Sequence, residues 1–343
     1  MTVALFGAGT AIVTCLVAWW LTGRVRRYAL THNLVDVPNA RSSHVVATPR
    51  GGGMAIVIAA LLAFALLGVF GRGAWPEVWT LVVGGAGVAM IGFADDHVHV
   101  APWWRLLGHF SVAFWTLSCI GGLPPLVVFG STVELGWFGH GLAAIYVVWS
   151  INLTNFMDGI DGIASVEVIT VCAGGAILCS VAVPGHLGWV VPIVLAAATL
   201  GFLAWNWPPA KIFMGDGASG FLGFMLAVLS LQAAWVAPRL FWAWVILLGA
   251  FVSDASLTLL RRLLRRAGVF DAHRSHAYQH AARRWGSHLT VTLAVAAINI
   301  GWLFPMALMV ALGRLDGAVG VLLAYAPLLV LAVWLKAGAE SYP

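Results

Sequence analysis

Long apolar runs separated by short polar stretches repeat along the chain. A membrane-spanning helix needs about 20 mostly apolar residues. Runs that reach or approach this length fall at residues 2–22, 54–71, 78–94, 106–123, 139–154, 165–183, 188–205, 218–235, 240–260, 289–311 and 318–335. None alternates apolar with polar positions, as the roughly ten-residue strands of a membrane barrel do. Backbone polar groups cannot stay unpaired in hydrocarbon, so each run is expected to be a helix. The pattern predicts an all-α integral membrane protein with about eleven transmembrane helices, forming a single polytopic domain over residues 1–343. The first run has no basic leader and no evident small-residue cleavage site after it, so it reads as a retained helix.

Composition agrees. Of 343 residues, 61% are hydrophobic and 9% charged, and mean hydropathy is +0.94. Soluble domains carry about 25% charged residues. The net charge of +5 does not signal nucleic acid, because the bases sit in short loops between apolar runs. Fifteen of the 18 Lys and Arg residues fall in alternate loops and the tail, among them Arg24, Arg50, Arg105, Lys211 and Arg261. Only Arg72, Arg239 and Arg314 fall on the opposite side. The rich side is expected to be cytoplasmic, with the N-terminus periplasmic and the C-terminus cytoplasmic. Cys15, Cys119, Cys172 and Cys179 lie inside apolar runs without metal-ligand spacing, and no disulfide is expected.

The acids carry separate information. Asp36, Asp95, Asp96, Asp158, Asp161, Asp216 and Asp271 fall in or beside the basic loops, and Asp254 lies in a run near the same side. Asp95-Asp96 closes one run; adjacent carboxylates repel unless a cation neutralises them. A solvated helix end, or a transition-metal site with His97 and His99, would explain the same residues. Asn152, Asn155 and Asp158 are spaced three apart on one helix face, and Gly159, Asp161 and Gly162 follow. Two amides and two acids at the end of an apolar helix are costly unless they bind something, although helix capping is the plainer reading. The stretch from Lys211 through Phe213, Gly215, Asp216, Gly217 and Ser219 leads into the next run, and a helix N-terminus attracts phosphate. Phe213 there suits base stacking or interfacial packing. His273-Arg274-Ser275-His276 follows the basic run Arg261 to Arg266, which topology or anionic lipid explains equally well. Asp36, Arg41, His44 and Arg50 precede Gly51-Gly52-Gly53, a further potential phosphate cradle.

In this order the motifs resemble the polyprenyl-phosphate N-acetylhexosamine-1-phosphate transferase superfamily. The matching residues are Asp36-x-Pro38-Asn39-x-Arg41-x-x-His44, Pro49-Arg50-x-Gly52-Gly53 and Gly92-x-x-Asp95-Asp96, then Asn152-x-x-Asn155-x-x-Asp158-Gly159-x-Asp161-Gly162 and Phe213-x-x-Asp216-x-x-Ser219. The resemblance implies attack of a lipid phosphate on the β-phosphate of a UDP-N-acetylhexosamine, with loss of UMP. It implies Mg²⁺, with Mn²⁺ as an alternative, and undecaprenyl phosphate as acceptor. It also implies eleven helices and a site facing the cytoplasm of a bacterial inner membrane. By resemblance Asp216 and Asn155 are metal ligands, and Asp95 and Asp96 are catalytic. Asn152, Asp158, Asp161 and Phe213 bind substrate. His273, Arg274 and His276 hold diphosphate and sugar, and Arg50 and His44 help bind phosphate.

This sequence departs from the pattern in two places. His99 stands where an acid would complete Asp-Asp-x-x-Asp, and residues 273–276 lack three consecutive histidines. The second departure points away from a phospho-N-acetylmuramoyl-pentapeptide transferase and toward the branch that primes O-antigen, capsule or wall polysaccharide. A transporter or channel is the competing class, but such proteins place binding groups near mid-membrane, often within repeats. CDP-alcohol phosphotransferases share the spacing of Asp158 and Asp161 but not the residues that follow, Ile163 and Ala164. A homodimer is one assembly the sequence leaves open.

Overall fold

The computed structural model describes residues 2–36, 46–70, 75–98, 100–266 and 274–339. The helices are α1 Thr2–Thr31, α2 Met54–Phe70, α3 Trp75–Val98, α4 Pro102–Ile120, α5 Gly136–Met157, α6 Ile163–Ala182, α7 Val190–Asn206 and α8 Asp216–Val236. They continue with α9 Arg239–Leu247, α10 Gly249–Leu264, α11 Ala277–Trp285 and α12 His288–Ile298. A π-helical turn, Asn299–Leu303, joins α12 to α13 Phe304–Ala311, and α14 Gly317–Trp334 ends the bundle. Two antiparallel strand pairs lie in loops: β1 Val35–Asp36 with β2 Thr48–Pro49, and β3 Leu126–Val128 with β4 Ser131–Val133.

Every predicted apolar run is helical, so the chain is an all-α membrane protein. The number of crossings is less simple. Among the described residues, six helices are long and apolar enough to span alone, counting α12 through α13 as one. Together α9 and α10 make a seventh, bent by 70°. The apolar helices α2 and α7 are shorter, at 17 residues each. The helices α4 and α5 have the length but include Arg105, His109, Asn152 and Asn155. The basic stretch after the first run does not end its helix, since α1 continues to Thr31. Arg24 lies over the Trp20 ring, and Arg26 and Lys211 over Trp205, so these cations leave the apolar zone along aromatic faces.

At the centre stands α8, buried along most of its length between α2, α3, α5, α6 and α9. A helix apolar on all sides belongs inside a bundle. Its first residue is Asp216, so the most enclosed helix delivers a carboxylate to one end of the bundle. Small residues allow its neighbours to approach closely. A Cβ on Gly92 of α3 would lie 2.6 Å from Gly217 Cα. A Cβ on Gly223 would lie 2.3 Å from the Ser150 carbonyl oxygen of α5.

A buried polar cluster lies beside the bend between α9 and α10. Glu167 of α6 is fully buried, close to Phe251 near the start of α10, and its Oε2 accepts from Asn299 Nδ2 at 2.7 Å. Asn299 opens the π-helical turn and also donates to Thr170 Oγ1 at 2.8 Å.

Candidate active site

The ends of α1, α3, α5, α7 and α10 meet the beginnings of α2, α4, α6, α8 and α11 at one end of the bundle, where they are cross-tied. Gly52 N donates to Phe213 O at 2.9 Å, Gly53 N to Met214 O at 3.0 Å, and Phe213 N to Pro49 O at 2.8 Å. The α1–α2 connection therefore lies along the segment that enters α8. Gly215 turns this segment with φ of 88°, a left-handed value that favours glycine, so that Asp216 can begin the helix.

Around that helix start the adjacent acids divide their tasks. Asp95 pairs with Arg105 of α4, and Arg105 Nη1 also lies 3.9 Å from Asp216 Oδ2. Asp96 Oδ2 accepts from Gly217 N at 3.3 Å, at the positive end of α8. The Asp96 carbonyl accepts from exposed Arg50 at 2.9 Å. An arginine and a helix terminus thus relieve the repulsion expected of neighbouring carboxylates. Asn155 lies beside the Asp216 carboxylate and helps to offset its raised proton affinity, and its Oδ1 accepts from Ser219 Oγ at 3.0 Å. A small cleft is lined by Asp95, Arg105, His109, Asn152, Asn155 and Asp216.

Next to the cleft, Asp158 ends α5. Its carboxyl is held well above the ordinary carboxylate range, first by burial and then by the charges of Asp216, Asp161 and Asp96. Four acids from three separate stretches of chain therefore share one electrostatic neighbourhood. Tyr278 closes this side, with its hydroxyl donating to Phe156 O at 3.0 Å. Burial first, and then the charges of Asp254 and Asp158, raise the Tyr278 hydroxyl well above its usual value and keep it a neutral donor.

A groove of about 580 Å³ lies beside the acids, lined by Thr48, Asp161, Phe213, Arg274, Arg283 and His288 among others. That size suits a nucleotide-like ligand. Asp161 Oδ2 accepts from Ala210 N at 3.1 Å and lies 3.3 Å from His288 Nδ1, so this acid also fastens the α7–α8 loop. His276 is buried as the N-cap of α11, 3.5 Å from Asp254 Oδ1. Asp254 in turn accepts from Ala277 N and Tyr278 N at 2.8 and 2.9 Å.

The predicted residues are thus sorted into parts. Asp95, Asn152, Asn155 and Asp216 line the cleft; Asp161, Phe213 and Arg274 line the groove; Asp96 and Arg50 tie the two helix ends; His276 lies beneath α11. His44 and His273 lie outside the described residues. Arg105, which pairs with Asp95, was legible only as one more base in a basic loop, although it is the only Lys or Arg between Asp96 and the fourth apolar run. Arg283 and His288 were missed because nothing in their spacing marks them. A separate cavity of about 390 Å³, lined by Phe6, Leu81, Glu77 and Trp244, holds none of the predicted residues.

The cleft suits magnesium by donor type. Asp216 and Asn155 offer hard oxygens, and the second lone pair of Asn155 Oδ1 remains for a cation. Among the described residues no three His, Cys, Asp or Glu side chains form a metal cage. His97 Nδ1 lies 2.8 Å from Phe93 O of its own helix, and His99 lies outside the described residues.

The profile of Glycosyl transferase family 4 matches residues 78–234, from α3 to α8. A Bacillus subtilis protein named "Probable undecaprenyl-phosphate N-acetylglucosaminyl 1-phosphate transferase" is 29% identical over 317 residues, covering 87% of this chain and 83% of its own. A Mycobacterium tuberculosis decaprenyl-phosphate N-acetylglucosaminephosphotransferase is 29% identical over 336 residues, covering 85% of this chain and 78% of its own. A phospho-N-acetylmuramoyl-pentapeptide-transferase of Oceanobacillus iheyensis is 29% identical over 198 residues, covering 54% of this chain and 61% of its own. Fold, site and relatives define a bacterial membrane enzyme that transfers sugar phosphates. The chain belongs to the polyprenyl-phosphate hexosamine-1-phosphate transferase superfamily.

Proposed function

We propose that this protein transfers an N-acetylhexosamine 1-phosphate from a UDP-sugar to undecaprenyl phosphate, releasing UMP and forming undecaprenyl-diphosphate-sugar. The product primes a surface polysaccharide at the inner leaflet of the cytoplasmic membrane. The observation that carries the reading is the gathering of Asp95, Arg105, Asn155 and Asp216 in one cleft, with Asp158 linking it to the groove of Phe213 and Arg274.

The residues divide the reaction between them. Phosphoryl transfer depends mainly on positioning and charge neutralisation. A phosphate monoester, with a second pKa of about 6, is already largely ionised at neutral pH, so its oxygen attacks the β-phosphorus without a strong base. Arg105, oriented by Asp95, presents its N–H groups to the phosphoryl oxygens. Phe213 and Asp161 line the place of the uridine, and Arg274 lies beside the diphosphate. Asp216 and Asn155 are the residues that would hold Mg²⁺, or Mn²⁺ in its place, which supplies neutralising charge for the diphosphate. A soluble donor and a membrane-held acceptor can meet only at such a surface.

The test is UMP release and lipid-linked product from purified protein with undecaprenyl phosphate and Mg²⁺. Donors are UDP-GlcNAc, UDP-GalNAc, their 6-deoxy relatives and UDP-N-acetylmuramoyl-pentapeptide. Turnover with an N-acetylhexosamine donor is expected. Folded protein that uses none of these sugars ends the reading, and turnover with the pentapeptide donor alone moves it to the peptidoglycan branch.

A further inference from the structure

His109 lines the same cleft as Asp95, Arg105, Asn155 and Asp216 and belongs to none of the motifs. It follows Arg105 by one helical turn on α4, on the same face and deeper along the helix. His109 is 8% exposed, and its Nδ1 is buried without a hydrogen-bond partner. A histidine within a helix and one that directly follows a helix show what idle rings do. Nδ1 of His97 lies 2.8 Å from Phe93 O, and Nδ1 of His32 lies 3.0 Å from Tyr28 O, each four residues back. His109 makes no such bond to Arg105 O. A buried polar atom without a partner is costly unless something else completes it.

We infer that His109 donates an imidazole N–H to a phosphoryl oxygen of the substrate at the inner wall of the cleft. This rests on the reading of the cleft as a phosphoryl-transfer site. Phosphoryl oxygens only accept, and the cleft is rich in acceptors: the carboxylates of Asp95 and Asp216 already draw on Arg105. A neutral imidazole adds a donor without adding charge beside two carboxylates and one guanidinium. Its depth favours the acceptor, whose phosphate is tethered to a chain in the bilayer. The diphosphate of the nucleotide has the same chemistry, so the test separates the two.

The experiment uses full-length protein in lipid nanodiscs as wild type, His109→Ala and His109→Gln. Binding of undecaprenyl phosphate, undecaprenol and UDP is measured with Mg²⁺ present, and thermal unfolding verifies folding. Loss of one hydrogen bond to a charged group should weaken undecaprenyl phosphate binding about tenfold in His109→Ala. Undecaprenol and UDP should bind as before, and His109→Gln, which keeps an N–H donor, should recover most of the loss. A loss confined to UDP assigns the contact to the donor's phosphate and supports the inference equally. Unchanged affinity for both phosphate ligands in folded His109→Ala overturns it. So does an equal loss for undecaprenol, which would mean packing alone. None of these measurements requires turnover, so failure of the donor screen is distinguishable from failure here.

Discussion

Replacing Gly92 by alanine adds one methyl where α3 crosses α8. The new Cβ would lie 2.6 Å from Gly217 Cα and 2.7 Å from the Asp216 carbonyl oxygen. Ordinary carbon contacts begin at about 3.5 Å, so the two backbones must part by about 0.9 Å. Both obstacles are main-chain atoms, and neither can turn aside as a side-chain tip would. Asp95 is three residues further along α3 and Asp216 opens α8, so the displacement falls between the Arg105–Asp95 pair and Asp216. Overpacking of this kind costs about 1–3 kcal/mol. Misplacing reacting groups by about 1 Å can cost on the order of 100-fold in rate. Gly92→Ala is therefore expected to fold, with a lowered unfolding temperature and kcat for UMP release down about 100-fold. The control is Gly141→Ala on α5, where a Cβ meets nothing within 4 Å; it should keep its rate and equal or better stability. Wild-type kcat in Gly92→Ala would refute the claim that this crossing sets the spacing of the acids.

Asp95→Asn and Asp216→Asn should each abolish measurable UMP release while leaving the unfolding temperature near wild type; an active variant removes that residue from the proposed site. Arg105→Met should reduce kcat/KM at least about 100-fold, and Arg105→Lys should restore only part, because a point charge does not reproduce the fork that faces Asp95 and Asp216. Asp158 binds its proton more tightly folded than unfolded, so its contribution to stability is complete below the ordinary carboxylate value of about 4 and is lost as pH rises through the raised value. Thermal unfolding in EDTA should therefore show a decline with rising pH that flattens in Asp158→Asn, and an identical slope in the two proteins would contradict the assignment.

Hydrophobic runs made the helices legible, because lipid leaves a long apolar segment no other backbone solution. The short amphipathic α11 was not, since Ala277 to Trp285 is rich in Arg and His and sits inside what reads as a basic loop. Nor was the break at Leu248, where α9 and α10 form one continuous apolar run with no proline between them. In the site, the carboxylates and amides stood out because such groups are rare in apolar sequence. Arg105 and His109 did not, because a lone base at a loop and a lone histidine in a run have ordinary explanations. The division of Asp95 and Asp96 between an ion pair and a helix terminus could not be read from two adjacent letters. It depends on Gly217 and Arg105, which the fold brings from far along the chain and from the next helix.

The broken span has a mechanical consequence. Asp254 lies six residues beyond Leu248, a lever arm of about 9 Å at 1.5 Å per residue. A 10° swing at the break would carry it about 1.5 Å, and with it the amides of Ala277 and Tyr278 that it grips. Tyr278 is anchored in turn to Phe156, two residues from Asp158. The angle between α9 and α10 inside the membrane is thereby geared to the wall of the water-facing cleft, and the two cannot move independently.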